Sequence, residues 1–486
     1  MLLTDSPPIS QPVCSERRVA SSITSGLSLP ILLVIAFAAR VPAILWSRGY
    51  TFFDEQFQYL DPAYHLVTGA PFLQTHEWVN GIRSWVFPGI VAGFLEVARF
   101  CGFEGPESEL IFVRLCLAVI SLLAVYGIWE LVRAAKLETH RTAVLILATC
   151  NGILVYQGVH PNGPAFSCGL VIFALGLFAF PGRLRALLAG LAVGLAFCCR
   201  PQDGLFGASI FVAGVLTKRT ADAIVFAAGC TVMILVQGWV DLVTWGSFLH
   251  SPIEYVRFNL AHSSNWGGQS IFTYLVVVLI FAPFAHTGLR YLAIGSKRLP
   301  WVAFAAAIAL VAHQILDRKS PRFVTPSLAL VILLWSIGVA RAHVQDMTKR
   351  GVARFFVTTS WILAAILHAG LFFAASISYA SRQRIQTALH LGTIPDATGI
   401  AYCGLSPIDS GGAFYYRGTA PRHYVDESEL VAMLDVGTEI SHVVMRAKTS
   451  LELPPPWQLA TDAEFDAVWN PSGRQTYVIY RLRRAE

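Results

Sequence analysis

Apolar runs long enough for a helix to cross a bilayer recur along the chain. They fall near 28–47, 110–132, 142–159, 164–181, 221–243, 270–286, 300–316, 323–341 and 355–377. Two shorter runs, 184–199 and 203–217, flank Arg200-Pro201-Gln202-Asp203-Gly204. Helix breakers at membrane depth are tolerated where the backbone is buried in protein or faces a wet cavity. This pair therefore predicts a broken hairpin reaching towards a site. The run 86–102 carries Glu96 and Arg99 and reads as interfacial or re-entrant. The expected architecture is an all-α polytopic membrane domain with about eleven transmembrane helices.

After residue 378 the pattern changes. Gly, Pro and Asp rise, SHVVM and QTYVIYRL read as strands, and Glu427 to Leu434 reads as a helix. This predicts a small soluble α/β domain. The chain divides into a cytoplasmic tail (1–27), a membrane domain (28–377) with a large external loop (49–109), and an external domain (378–486).

Basic residues orient the spans, because cytoplasmic loops carry the excess of Lys and Arg. Arg17 and Arg18 place the N-terminus inside, ahead of a retained signal-anchor helix. With 86–102 not crossing, the basic loops 133–141, 182–185, 218–219, 287–299 and 341–354 all fall inside. The loop 49–109, the segment 160–163, the Arg200 turn, 244–269, 317–322 and everything after 378 fall outside.

Composition agrees with a membrane protein. Of 486 residues, 55% are hydrophobic and only 14% charged, with a mean hydropathy of +0.56; soluble domains carry about a quarter charged residues. The net charge of +6 is modest. Nine cysteines show neither metal-ligand spacing nor an extramembrane disulfide framework.

Against this background the stretch 49–88 stands out, with Asp54, Glu55, Asp61, His65, His76, Glu77 and Arg83. Ionisable groups beside the hydrocarbon layer are costly and point to function. On a helix, Asp54, Gln58 and Asp61 share one face, and Phe53, Phe57, Leu60 and Tyr64 share the opposite one. That predicts an interfacial helix with its apolar side to the bilayer and its acidic side to a cavity. Pro62 introduces a kink before His65. A second, basic set comprises Arg200, Arg318, Lys319 and Arg322, suited to phosphate oxygens or to lipid headgroups. A third segment, 241–269, holds Trp245, Tyr255, Asn259, Asn265 and Trp266, able to stack on a sugar or to sit in an aromatic belt. No metal, cofactor or nucleic-acid partner is expected.

Taken in order, these segments resemble the mannosyltransferases that use a polyprenyl-phosphate sugar donor, glycosyltransferase family 22 of the GT-C superfamily. Phe53-Asp54-Glu55-Gln56-Phe57-Gln58 resembles the family's Asp-Glu-x-Phe-Gln motif, with Asp61 and His65 at its following acidic and His positions. Thr75-His76-Glu77-Trp78 and Ile82-Arg83-Ser84 with Pro88 resemble its Thr-Trp-Glu-Trp and Ile-Arg-Ser segment. Arg200-Pro201 resembles an Arg-Pro turn, and Tyr255 to Asn259 an aromatic-rich luminal loop. Lys319, Arg322 and Phe323 resemble the His-Lys-Glu-x-Arg-Phe motif, with Arg318 and Ser320 at its His and Glu positions. The family's His-Pro before Asp-Glu is Phe52-Phe53 here. The resemblance covers about 30–345.

The resemblance implies a GT-C fold and inverting transfer of mannose from a polyprenyl-phosphate donor to a glycan or glycolipid acceptor. Asp54 would be the base and Glu55 its rival. Arg200, Arg318, Lys319 and Arg322 would bind donor phosphate. Gln58, Asp61, His65, Glu77, Arg83, Tyr255 and Asn259 would bind substrate. The expected location is a bacterial plasma membrane with an external site; the alternative is an ER membrane with a luminal site. The competing functions are secondary transport and non-catalytic lipid binding. A transporter, however, needs charge near the midplane and access from both faces.

Overall fold

The computed structural model describes residues 27–137, 139–262, 267–282, 285–346 and 351–484. The cytoplasmic-tail expectation for 1–27, apart from Leu27, and the readings of Asn265 and Trp266 lie outside these residues.

Each of the eleven apolar runs contains helix among its described residues, and the helices differ in length. Among the described residues five helices are long and apolar enough to cross a membrane: Leu29–Trp46, Pro106–Ala134, Thr220–Trp245, Pro321–Val344 and Arg354–Ile377. A sixth span results if Thr273–Phe281 and His286–Arg298, which meet at 82°, count together. Arg141–Cys150, Gly163–Phe178 and Pro300–Ile315 are shorter apolar helices. The run 142–159 is split because the Asn151 side chain accepts from Leu154 N–H and starts a new helix, Gly152–Gln157. The basic stretch expected as a loop at 287–299 is largely the helix Ala285–Arg298. The run 86–102 forms the helix Val86–Phe100.

The predicted broken hairpin is present. Arg183–Cys199 and Gly204–Leu216 are separated by the 3₁₀ turn Pro201–Asp203. Helices pack closely where glycine removes the side chain. A Cβ on Gly127 or Gly176 would strike the facing backbone, so these helices approach as small-residue membrane helices do.

The C-terminal domain is a five-stranded sheet in the order Arg422–Val425, Ile400–Cys403, His442–Arg446, Tyr477–Arg484, Trp457–Phe465. The first three strands run parallel and the last two pairings are antiparallel. The helix Glu427–Asp435 starts at an Asp426–Glu429 capping box.

This domain is packed against the loop 49–109. Phe57, Leu60 and Tyr64 share one buried cluster with Tyr402, Phe414 and Tyr477. The apolar stripe expected to face the bilayer therefore faces the domain. Arg48–Gly49 pairs in parallel with Tyr379–Ala380, fastening the end of the first span to the end of the last. Buried Glu109 accepts a bidentate pair from Arg417, at 3.0 and 2.7 Å, and a further bond from Arg99 at 3.2 Å.

Candidate active site

The segment carrying the acidic motif is not a regular α-helix. Glu55–Leu60 is a π-helical turn that passes into the α-helix Asp61–Thr68. Asp61 N–H bonds to Gln56 C=O, five residues back. Pro62 has no N–H, so it cannot bond to Phe57 C=O in the same register; the Trp78 indole N–H donates to that oxygen instead, at 3.2 Å. A π-turn carries more residues per turn than an α-helix, and such turns often mark functional sites. It breaks the spacing that would place Asp54 and Asp61 on one face.

Asp61 is fully buried and turned into the C-terminal domain. Its carboxylate accepts from Ala413 N–H (3.0 Å), Phe414 N–H (2.9 Å) and Gln56 Nε2 (2.6 Å). Burial pushes its pKa up to about 6, against the hydrogen bonds from Ala413 and Phe414, which pull it down. Asp61 is thus an interdomain latch and not a wall of the cavity. His65 also lies away from the cavity lining: its Nδ1 meets Ala70 C=O at 2.8 Å, and its ring packs on Phe72 and Trp85.

Glu55 is buried and absent from the lining too. Its carboxylate accepts from the Tyr156 hydroxyl at 2.9 Å and faces His160 Nδ1 at 3.1 Å. His160 Nε2 continues to Ser47 Oγ at 2.9 Å, and Ser47 Oγ to Ser378 Oγ at 3.0 Å. Burial pushes the His160 pKa down, opposed by Glu55. Glu55 therefore ties the acidic turn to two other parts of the membrane domain.

Asp54 alone of these three acids opens into a cavity of about 830 Å³. Its carboxylate pairs with Arg322 at 3.0 Å, and the Arg322 guanidinium also lies over the Phe52 ring at 4.9 Å. Arg200, Arg318 and Lys319 line the same cavity, as do Gln58, Glu77, Arg83, Tyr255 and Asn259. The acidic loop, the Arg200 turn, the 317–323 segment and the helix His250–His262 thus converge on one space.

The lining is partly cross-braced. Gln58 Nε2 donates to Glu77 at 2.7 Å, and Arg83 stands 3.9 Å from the same carboxylate. Arg200 donates to Phe323 C=O at 2.6 Å; with the Gln202 amide oriented to suit its neighbours, Gln202 accepts from Arg200 Nε at 2.8 Å and donates to the Tyr255 hydroxyl at 3.0 Å. Arg200 Nη1 is buried without a hydrogen bond and lies 3.8 Å from Asp203. Lys319 is nearly buried, and its ammonium donates to the carbonyls of Leu316 (2.8 Å), Gln269 (3.2 Å) and Asp317 (3.5 Å). In this state it is a fixed positive charge that shapes its turn. Among the described residues no three His, Cys, Asp or Glu side chains form a metal-sized group.

Sequence reasoning missed Phe52, Gln202, Phe258 and the Ser406-Pro407-Ile408 turn, all of which line the cavity. Gln202 sits in the flagged Arg200 turn, so proximity was a usable signal. Ser406 and Asp409 form a capping box legible as a helix start, but nothing local says that this turn meets Asp54's cavity.

The model of the Alg9-like mannosyltransferase family matches residues 31–392. The chain belongs to that family. It is a membrane-embedded mannosyltransferase, and among its relatives is GPI mannosyltransferase 3 of Yarrowia lipolytica, 24% identical over 79% of this chain and 75% of that protein. Human GPI alpha-1,2-mannosyltransferase 3 is 22% identical over 68% of this chain and 61% of that one. The fold is that of ArnT from Cupriavidus metallidurans, solved bound to undecaprenyl phosphate, with a TM-score of 0.60 at 11% identity over 93% of this chain and 97% of ArnT. The Archaeoglobus fulgidus oligosaccharyltransferase shares it at a TM-score of 0.52, 13% identity, and 85% and 68% coverage. The GT-C architecture expected from the motifs is therefore present. The fold likeness also reaches beyond residue 345, into the C-terminal domain.

Proposed function

We propose that this mannosyltransferase transfers mannose, with inversion, from a polyprenyl-phosphate donor to a glycan or glycolipid hydroxyl, and that Asp54 is the base. The observation that carries the reading is the cavity carboxylate of Asp54 paired with Arg322 in a space also lined by Arg200, Arg318 and Lys319. Asp54 takes the proton from the acceptor hydroxyl. The acceptor oxygen forms a bond to sugar C1 as the bond from C1 to the phosphate oxygen breaks, its electron pair leaving with the phosphate. The transition state has oxocarbenium character, as in glycosidases. Arg200, Arg318 and Arg322 offset the charge growing on the leaving phosphate, and Lys319 adds a fixed charge behind them. Gln58, Glu77, Arg83, Tyr255 and Asn259 are the sugar-binding set. Glu55, Asp61 and His65 leave the substrate-contacting set because they do not reach the cavity.

The names of the relatives support a GPI-type glycolipid as the acceptor class. Those relatives come from eukaryotes, including a yeast, a fly, a plant and humans. They support the ER membrane with a luminal site, and none supports the bacterial plasma membrane expected from the sequence.

The test is mannose transfer in proteoliposomes, with the glucose, galactose and arabinose donors alongside. Asp54→Asn is expected to lower kcat by about 10²–10⁴-fold, with both transfer and slow donor hydrolysis falling. Near-normal turnover in Asp54→Asn would remove it as the base.

A further inference from the structure

The C-terminal domain does more than cover the site. Ser406, Pro407 and Ile408 line the Asp54 cavity, although they lie beyond the residues 31–392 that match the family model. The turn is fixed from behind. Asp409 accepts from Ser406 N–H (3.1 Å) and Oγ (2.9 Å), from Arg384 Nη2 (2.7 Å) and from the Tyr477 hydroxyl (2.9 Å). Burial opposes ionisation of Asp409, but the hydrogen bonds and charge of Arg384, with the hydrogen bonds of Tyr477 and Ser406, together hold the carboxyl below its ordinary value. Arg384 in turn lies over the Phe53 ring at 4.9 Å. Phe53 directly precedes Asp54, so the turn and the base are registered through Phe53, Arg384 and Asp409.

Two chemically different sets line the cavity with Asp54. One is the cations, carried by turns between membrane helices at Arg200 and at 318–322. The other is the turn from the C-terminal domain, offering Pro407 and Ile408 carbons and the exposed Ser406. A polyprenyl phosphate has its phosphate at the membrane boundary, next to the first set. An acceptor glycan extends into water, next to the second, and the C–H face of a sugar ring packs on apolar side chains.

We infer that the Ser406–Asp409 turn is the acceptor-side wall of the site, with Pro407 and Ile408 packing on the acceptor sugar that presents its hydroxyl to Asp54. Arg384 and Asp409 are positioning residues. The inference rests on the transfer reading above for which substrate occupies the cavity. It adds that acceptor choice is set by the C-terminal domain and not by the membrane helices.

Two measurements on the full chain in proteoliposomes test it. The probe is a short mannosyl glycolipid bearing a diazirine on its terminal sugar, offered with polyprenyl-phosphate mannose. Photo-crosslinks are expected on residues 404–410. Ile408→Trp is expected to raise acceptor KM about ten-fold while donor KM moves less than about two-fold. Ile408→Ala should move the same ratio in the same direction and guards against misfolding of the larger substitution. Crosslinks confined to 255–259 or 316–323, or a donor KM rising as much as the acceptor KM, would overturn the wall assignment. Crosslinks at 404–410 in a protein that transfers no mannose would uphold the wall and count against the transfer reading.

Discussion

Asp54 and Glu55 are adjacent acids with opposite surroundings. Asp54 faces cations across a cavity, and Glu55 is bonded to Tyr156 and His160 in the interior. Their mutants should separate. Glu55→Ala leaves the buried His160 Nδ1 unsatisfied, while the Tyr156 hydroxyl keeps Thr51 at 2.8 Å, and should cost about 1–3 kcal/mol of stability, read as a lowered Tm; a fully stable, inactive Glu55→Ala would instead make Glu55 part of the chemistry. Arg322→Ala removes one charge-assisted contact, worth about 1.5–3 kcal/mol. Donor KM should rise by about ten- to a hundred-fold, and acceptor KM should respond less; an unchanged donor KM would place the phosphate elsewhere.

At the scale of elements, the π-turn Glu55–Leu60 turns Asp61 into the C-terminal domain, and the loop around Gly412 receives it. Gly412 sits at φ +87°, and a Cβ there would lie 2.5 Å from Gln56 Nε2 and 2.6 Å from Asp61 Oδ2. Gly412→Ala should therefore cost about 2–4 kcal/mol through backbone strain and overlap, checked by thermal unfolding. The Asp61 carboxyl titrates at about 6 in the fold against an ordinary 3.8. The folded state thus binds that proton more readily than the unfolded chain. Stability relative to Asp61→Asn should fall as pH rises from about 4 to about 6, by about 3 kcal/mol in all, and level off above that. A difference curve that rises across this window would mean that the carboxylate is stabilised by its N–H donors more than burial destabilises it.

At the scale of the molecule, the membrane domain and the C-terminal sheet share one core. Phe57, Leu60 and Tyr64 from one meet Phe414, Tyr402 and Tyr477 from the other, and the Glu109–Arg417 pair bridges them. A chain ending after residue 392 would expose that apolar face and lose the Ser406–Ile408 wall. It should aggregate or lose transfer altogether, as size-exclusion chromatography and the proteoliposome assay would show; a monodisperse, fully active truncation would refute the shared core.

The sequence by itself determined the composition of the membrane domain, the helical runs, the broken turn at Arg200 and the ordered motifs that identify the family. Each is local: hydropathy follows composition, a Pro breaks a helix where it stands, and a motif is a few adjacent residues. The strands 442–446 and 477–484 and the helix at 427–435 were legible for the same reason. Only the tertiary structure decided which acid faces the cavity. Asp61 is bound by N–H groups 352 and 353 residues away, and no periodicity within 54–61 encodes partners at that distance. The π-register rests on Trp78, from another element, accepting the role that Pro62 cannot fill. The wall at Ser406–Ile408 likewise depends on Arg384 reaching both Phe53 and Asp409, a meeting of three distant segments that exists only once the domains have packed.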